Sequence, residues 1–136
     1  MDEAILDSDI LSEVLKGKDS QVAKHASHYL SQYGQLTFST ISYYELLRGI
    51  KAKAATRQLE AFEQVSSDAE MIPVTLAILT RAAELWALAN AGGNPRDDAD
   101  LIIAATALEV GRVLVTGNTQ HFSWIPGLQI EDWRQS

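Results

Sequence analysis

Three acidic residues, Asp7, Glu45 and Asp100, each stand where an apolar segment meets a helix-start signal. Asp7 closes the apolar segment at residues 5–6, Glu45 follows the turn at residues 40–42, and Asp100 opens a long apolar run. In an open α/β sheet, ligands bind outside the carboxyl ends of the strands, where the following helices begin. We therefore expect the three carboxylates to meet at one edge of a sheet.

Carboxylates gathered at one edge repel one another unless a cation joins them. Ligation by a few carboxylates and waters is the chemistry of Mg²⁺ and Mn²⁺ in proteins. A cation bound in this way activates water and stabilises the charge on a phosphate. The three acids therefore predict metal-dependent hydrolysis of a phosphodiester.

Each acid also has a purely structural explanation. Ser42-x-x-Glu45 fits the capping box, in which the glutamate bonds back to the backbone of the cap residue. Asp97, Asp98 and Asp100 suit the first turn of a helix, where acids complement the positive end of the helix dipole. Taken singly, the acids fit these explanations at least as well as a functional one, so only the joint pattern predicts a site.

A second enzymatic interpretation rests on Asp7-Ser8-Asp9, which resembles the Asp-x-Asp motif of haloacid-dehalogenase phosphatases. That motif continues with Thr or Val two places on, where this chain has Leu11. A chain of 136 residues also leaves little room for the other elements of that fold. The phosphatase interpretation is therefore disfavoured.

Histidine and tryptophan give weaker indications. His121 follows a predicted strand and is a candidate functional residue. His25 and His28 are three apart on a polar helix face, where we expect solvated side chains rather than metal ligands. Trp124 and Trp133 are expected to pack near the carboxyl terminus.

The length and composition favour a single domain, residues 1–136, with room for a buried core. The absence of cysteine excludes disulfides, zinc–thiolate sites and cysteine nucleophiles. No apolar run approaches the roughly 20 residues of a membrane helix. The acidic start lacks the basic-then-apolar order of a secretory signal, so we expect a cytoplasmic protein with no membrane contact.

The net charge of −7 argues against a broad nucleic-acid-binding face, because phosphate contacts need basic residues. Bound cations would nevertheless offset a cluster of acids locally. Moreover, four of the eleven basic residues, Arg48, Lys51, Lys53 and Arg57, fall within one ten-residue stretch. Two interpretations stay open: a solvated helix face, which is the favoured one, and a strip that contacts phosphates.

Apolar periodicity predicts strands that alternate with helices. The expected strands are residues 4–6, 36–38, 71–74, 113–116 and 129–130. The expected helices are residues 9–16 with Ser8 as the cap, 19–33, a helix from Tyr43, 76–90 and 101–110. Such alternation predicts an α/β fold with a central, mostly parallel sheet of four to five strands, covered by helices on both faces.

Several segments, taken together, resemble one family. They are ILDSD at residues 5–9, STISYYEL at 39–46, DLIIAATA at 100–107, LVTGNTQHF at 114–122, IPGL at 125–128 and EDW at 131–133. In this order and over the whole chain, they are similar to the PIN-domain ribonucleases, specifically the VapC toxins of bacterial toxin–antitoxin pairs. The resemblance implies a single PIN-like domain.

The resemblance also assigns roles to residues. Asp7, Glu45 and Asp100 match the three acids that assemble the metal site of the family. Asp7 and Asp100 would be the direct ligands of Mg²⁺ or Mn²⁺, while Glu45 would orient the attacking water or hold a second metal. Thr116 and Asn118 would fix waters or a phosphate oxygen.

The fourth acidic position of many PIN domains is not matched by an acid. Asn118 occupies it, Asp98 is a possible substitute, and His121 stands at a place that is often acidic or histidine in the family. A second departure is Pro95-Arg96-Asp97, where these toxins often have Pro-Ile-Gly. It bears on the geometry of that loop and on substrate entry.

The activity implied by the resemblance is hydrolysis of RNA phosphodiester bonds without a covalent intermediate. The implied partners are an RNA substrate, a cognate antitoxin and a second copy of the chain. Tyr43, Tyr44 and Leu47 around Glu45 would offer the antitoxin an apolar surface. Two rivals stay open: a PIN-fold nuclease that processes RNA without an antitoxin, and a non-cleaving PIN module that binds RNA or protein.

Overall fold

Five strands form one all-parallel sheet in the part of the chain that the computed structural model describes, residues 1–135. The strands are β1 (Ala4–Leu6), β2 (Thr37–Ser39), β3 (Glu70–Ile72), β4 (Val113–Val115) and β5 (Ile130–Glu131). The helices are α1 (Ser8–Lys16), α2 (Ser20–Tyr33), α3 (Thr40–Ala52), α4 (Thr56–Asp68), α5 (Leu76–Ala91), α6 (Asp98–Val110) and α7 (Thr119–Phe122). The predicted α/β class is confirmed.

The strand order is β3-β2-β1-β4-β5, with β1 in the centre. The chain therefore builds one half of the sheet outward from β1 and then crosses back to build the other half. Leu6, the last residue of β1, pairs with Phe38 of β2 on one side and with Val115 of β4 on the other. The carboxyl end of β1 is thus the topological switch point, where α/β sheets bind ligands.

The two faces of the sheet carry separate cores. Ala4 and Leu6 belong to a cluster with side chains from α1, α2 and the α3–α4 pair, whereas Ile5 and Leu114 belong to a cluster with α5 and α6. This alternation follows from the two-residue period of a strand, which sends successive side chains to opposite faces. The prediction of helices on both faces is confirmed.

The start of α3 differs from the prediction. The helix begins at Thr40 rather than at Tyr43, and the Ser39 hydroxyl caps it by accepting from the Ile41 N–H at 3.1 Å. Ser42 lies inside the helix and is buried. The capping-box explanation of Glu45 is therefore wrong, because the cap forms directly where β2 ends.

Other boundaries shift by a few residues. Asp7, not Ser8, caps α1, and Asp97 caps α6, which begins three residues earlier than predicted. The strands β2, β3, β4 and β5 each start or end one to two residues away from their predicted bounds. The short helix α7 was not predicted, since four residues cannot display a helical period.

The carboxyl-terminal segment packs against α2. Trp133 is buried, and its ring lies 5.8 Å from the Tyr29 ring and stacks on His25 at 6.0 Å between centroids. The expected packing role of Trp133 is confirmed. His25 is half-buried and its Nε2 lies 2.9 Å from the Gln135 carbonyl, so it is less solvated than expected, whereas His28 is exposed.

Across residues 1–135, none of the helices is both long enough and apolar enough to cross a membrane.

Candidate active site

Asp7 lies at the switch point of the sheet. It follows β1 directly, its N–H donates to the Val115 carbonyl at 2.8 Å, and its side chain is almost fully buried with the residue 4% exposed. Its Oδ1 accepts from the Ser8 N–H at 2.8 Å, and its Oδ2 accepts from the Thr116 hydroxyl at 2.7 Å. The start of α1 and the residue after β4 therefore fix this carboxylate through two hydrogen bonds.

The loop after β4 is held by Asp9. The Gly117 N–H donates to Asp9 Oδ2 at 2.9 Å, and Arg134 Nη2 donates to the Gly117 carbonyl at 2.5 Å. A Cβ at position 117 would overlap the Arg134 guanidinium and lie 2.7 Å from Asp9 Oδ2. The loop that carries Thr116 is thus clamped between the first helix and the carboxyl-terminal segment, and the clamp requires glycine at position 117.

Glu45 lies in the second turn of α3, on the side that faces α1. Its Oε1 accepts from the Ser8 hydroxyl at 2.8 Å, and that hydroxyl lies 3.0 Å from the Ser42 hydroxyl. The residue beside Asp7 thereby orients Glu45, although 37 positions separate Ser8 from Glu45 in the sequence. The structure brings Glu45 to the same edge of the sheet as Asp7.

Asp100 reaches this edge from the first turn of α6. Its N–H donates to Asp97 Oδ2 at 3.4 Å, and its own Oδ2 lies 3.1 Å from His121 Nδ1. His121 stands on α7, immediately after the clamped loop, and is more exposed than Asp100. The ends of three non-adjacent parts of the chain therefore supply Asp7, Glu45 and Asp100.

The charges of these acids shift one another's pKa values. Burial, followed by the charge of Asp9, raises the pKa of Asp7 to about 7, and Asp100 adds to the rise. The hydrogen bonds from Thr116 and Ser8 oppose it. At neutral pH, Asp7 is therefore poised between its neutral and charged forms.

The pKa of Asp100 is also raised, first by burial and then by the charge of Asp97. The contact with His121 lowers it in part, and Glu45 raises it further. Asp100 thus interacts electrostatically with both Asp7 and Glu45. Perturbed carboxylates that gather at a switch point are typical of a functional site.

The donor set fits a hard divalent cation, since it consists of carboxylate oxygens whose mutual repulsion is uncompensated. Among residues 1–135, however, no three acidic or histidine side chains stand in a group arranged to hold a metal ion. A cation that used Asp7, Glu45 and Asp100 together would therefore have to draw the carboxylates closer to one another. Its binding would also displace the proton that Asp7 retains near neutral pH.

The candidates for the fourth position lie in different places. Asn118 precedes α7 and is exposed; its N–H donates to the Thr116 hydroxyl at 3.0 Å, and its side chain makes no cap hydrogen bond. Asp98 lines a cavity between α5 and α6 beside Trp86. Of the three candidates, His121 is the one in contact with Asp100.

Four supporting residues were not identified in these roles from the sequence. They are Ser8, which bonds to Glu45, Ser42, which contacts Ser8, Asp9, which holds the Gly117 loop, and Thr116, which donates to Asp7. A hydroxyl directly after a strand-end aspartate is a usable signal for Ser8. The partners of Asp9 and Thr116 lie more than 100 positions away, so no local pattern indicates them.

The chain has clear relatives among characterised proteins. A tRNA(fMet)-specific endonuclease VapC of Shigella flexneri is 29% identical over 130 residues, which cover 95% of this chain and 96% of the relative. The ribonuclease VapC1 of Haemophilus influenzae strain R2866 is 28% identical over the same share of both chains.

Solved structures show the same architecture. The DNA-bound VapBC of Salmonella typhimurium superposes with a TM-score of 0.85 at 28% identity and covers 98% of this chain and 99% of that one. VapBC2 of Rickettsia felis, bound to a fragment of promoter DNA, gives a TM-score of 0.85 at 23% identity, over 96% and 98% of the two chains. Residues 4–127 match the PIN domain, and the chain therefore belongs to the PIN domain family.

Proposed function

We propose that the chain is a divalent-metal-dependent endoribonuclease and the toxin component of a toxin–antitoxin pair. The observation that carries this proposal is the buried Asp7 at the switch point, with its pKa raised to about 7 and with Asp100 among the charges that raise it. As its carboxyl ionises, such a buried group lowers the stability of the metal-free fold. Its retention is explained by a cation that binds there and by the chemistry that the cation supports.

In this mechanism, Asp7 and Asp100 hold the cation, and Glu45 orients the attacking water. Mg²⁺ or Mn²⁺, when bound, supplies a water of lowered pKa and charge compensation for the phosphate. Thr116 and Ser8 keep the carboxylates of Asp7 and Glu45 in place through their hydroxyl hydrogen bonds. Rate enhancement comes from positioning and electrostatic stabilisation, without a covalent intermediate.

RNA as substrate is supported by the names of the relatives, which are a ribonuclease and an endonuclease specific for tRNA(fMet). The matched segment covers 96% of the length of each relative. A cytoplasmic location is part of this proposal and is supported by the expected action on RNA.

An antitoxin partner is supported by the structural neighbours, which are VapBC complexes. Tyr44 is 55% exposed and available for a partner, whereas Tyr43 packs on Phe62 at 5.3 Å between centroids and Leu47 is half-buried against the core. Of the three residues predicted to receive an antitoxin, Tyr44 is thus the one that stands free.

A second copy of the chain is the proposed occupant of the outer face of α5. Large apolar side chains are exposed on this side of the helix: Leu76, Leu79 and Trp86. Trp86 and Leu79 also line a cavity of ≈ 300 Å³ between α5 and α6, which side chains of a facing copy would fill. Exposed apolar patches of this kind mark protein interfaces.

The proposal is tested by cleavage of a labelled tRNA mixture in Mg²⁺ and in Mn²⁺. Wild-type protein should cut, and Asp7→Asn and Asp100→Asn should not. Asp68→Asn, an exposed acid on α4, is the matched control and should cut like wild type. Equal cleavage by all four proteins would identify a contaminating nuclease and overturn the assignment.

The growth of a bacterial host that expresses the protein distinguishes a toxin from an RNA-processing nuclease and from a non-cleaving module. Expression of wild type should slow the growth of a bacterial host, and co-expression of a protein encoded by a neighbouring gene should restore it. Harmless expression of folded, active protein would favour the RNA-processing nuclease, and folded protein that binds RNA without cutting it would favour the non-cleaving module.

A further inference from the structure

One group of positive charges lies next to the acids and has no assigned role. Arg48, Lys51 and Lys53 are exposed on and just after α3, and Arg57 is exposed at the start of α4. Within residues 1–135, none of these four side chains makes an ion pair. Three arginines elsewhere do: Arg81, Arg112 and Arg134. The chain as a whole has a net charge of −7, so four unpaired positive side chains within ten residues form a local basic region, which we call the basic strip.

This basic strip borders an open pocket of ≈ 340 Å³ that begins at the acids. Ser8, Asp9 and Ser12 line the pocket from α1, and Glu45, Arg48 and Lys53 line it from α3 and its carboxyl end. Along the axis of α3, Arg48 lies about 4.5 Å beyond Glu45 and Lys53 about 12 Å beyond it, at 1.5 Å per residue. The pocket thus leads from the proposed catalytic carboxylate to two free cations.

The wall of this pocket contains a glycine that the fold does not require. Gly49 lies inside α3, where glycine costs roughly 1 kcal/mol relative to alanine. A Cβ at position 49 would meet no atom within 4 Å, so the packing of the fold leaves room for a larger residue there. A missing side chain keeps the pocket open and lets a ligand approach the helix backbone.

An exposed aromatic ring stands beside the same strip. Tyr44 is one helical turn before Arg48, and the Arg48 guanidinium lies 5.1 Å from the centre of its ring. This contact holds Arg48 in position through a cation–π interaction. Tyr44 is also 55% exposed, and single-stranded RNA is held by base stacking on such rings together with cations along the backbone.

We propose that the pocket lined by Glu45, Arg48, Gly49 and Lys53 binds the RNA strand beside the scissile phosphate. Arg48 and Lys53 contact flanking phosphates, and Tyr44 stacks on a base. The free cations favour an anionic occupant over a peptide that itself delivers a basic side chain. This inference rests on the proposed ribonuclease function and identifies how the substrate is held.

Binding is measured with full-length Asp7→Asn protein, which prevents cleavage, and a fluorescent single-stranded RNA of mixed sequence. A length of about 12 nucleotides covers the usual site sizes. Arg48→Gln and Lys53→Gln, each added to Asp7→Asn, should weaken binding several-fold. Each should also reduce the slope of log affinity against log salt by about 0.7, the value for one phosphate contact on a single strand. Lys24→Gln on α2, which changes net charge equally, should leave both quantities unchanged.

Gly49→Leu is a variant that we expect to fold, because a Cβ at position 49 meets no atom within 4 Å and leucine has a higher helix propensity than glycine. Its melting temperature should equal or exceed that of the parent, while RNA affinity falls. Unchanged RNA affinity in Arg48→Gln, Lys53→Gln and Gly49→Leu would overturn the proposal. If these variants instead lost only the complex with the protein encoded by a neighbouring gene, the strip would be an antitoxin contact and the proposal would also fall.

Cleavage and binding measurements together separate the ribonuclease activity from the RNA-binding pocket. Wild type that cuts RNA, combined with variants that bind RNA normally, would remove the subsite and leave the nuclease. Wild type that never cuts RNA, but binds it less well after Arg48→Gln or Lys53→Gln, would remove the nuclease and leave the RNA-binding pocket.

Discussion

The Thr116 hydroxyl donates to Asp7 Oδ2 at 2.7 Å across 109 positions of sequence, in a place where both residues are buried. This bond lowers the pKa of Asp7, which burial and the neighbouring charges raise. Thr116 therefore lowers the pKa of the acid that we propose as a metal ligand. It acts through its hydroxyl group, which valine replaces with a methyl group of similar size.

Thr116→Val should raise the pKa of Asp7 further, so protons compete better with the cation. The acid limb of the pH–rate profile should move to higher pH by on the order of one unit, since a hydrogen bond to a charged group contributes roughly 1.5 kcal/mol. Thr116→Ser retains the hydroxyl and should keep the wild-type profile. Superimposable profiles for wild type and Thr116→Val would show that the bond does not tune the site.

Asp7→Asn should change how stability depends on pH. In metal-free wild type, the Asp7 pKa is 3.8 when unfolded and about 7 when folded, so the folded state binds the proton more tightly. The contribution of Asp7 to stability is therefore fully present below about pH 4 and is lost as pH rises through about 7. A shift of about 3 units corresponds to on the order of 4 kcal/mol.

Asn at position 7 has no such titration, so Asp7→Asn should gain stability relative to wild type between about pH 5 and about pH 8. Urea unfolding in EDTA at both pH values measures the difference. A difference between the two proteins that stays constant with pH would contradict the raised pKa.

Divalent cations should stabilise the folded protein by mass action, by about 2.7 kcal/mol at a hundredfold excess over the dissociation constant. The measurement compares melting in EDTA with melting in excess Mn²⁺. The gain should shrink in Asp7→Asn and persist in the control Asp68→Asn. Identical melting of wild type under both conditions would favour the purely structural explanations of the acids.

Asn118→Asp tests whether position 118 belongs to the site. A carboxylate near the other acids should raise cation affinity and lower the Mg²⁺ concentration needed for cleavage, because ligand charge tunes the binding of hard cations. If Asn118 only shapes the turn, both residues suit it and the Mg²⁺ titrations should coincide. Coinciding curves would leave His121, which contacts Asp100, as the best-placed fourth member.

Trp86→Glu should dissociate the proposed dimer, because it places a charge in the apolar face of α5. Sedimentation velocity should show the mass of one chain for the variant and of two for wild type. Leu30→Glu, an exposed apolar position on α2, is the matched control and should remain dimeric. If the wild-type protein is a monomer, the proposal of a dimer interface on α5 is wrong.

The positions of Asp7, Glu45 and Asp100 could be predicted because each is tied to a strand end or helix start, and strand order at a switch point brings such ends together. The cap of α3 could not, since Ser39, Thr40 and Ser42 all suit a cap and the choice depends on where β2 ends. Contacts such as Asp100–His121 depend on how α6 and α7 pack, which no local sequence window contains.

The central strand of the sheet is the first to be made, and one of its two neighbours, β4, is among the last. A growing chain therefore carries Asp7 from the beginning but lacks Thr116 and the α6–α7 contact to Asp100 until most of it has been synthesised. At roughly 5–20 residues per second, several seconds separate the two events. The three acids and their supporting contacts are therefore complete only when synthesis is nearly finished, so the proposed ribonuclease activity cannot appear in a partly made chain.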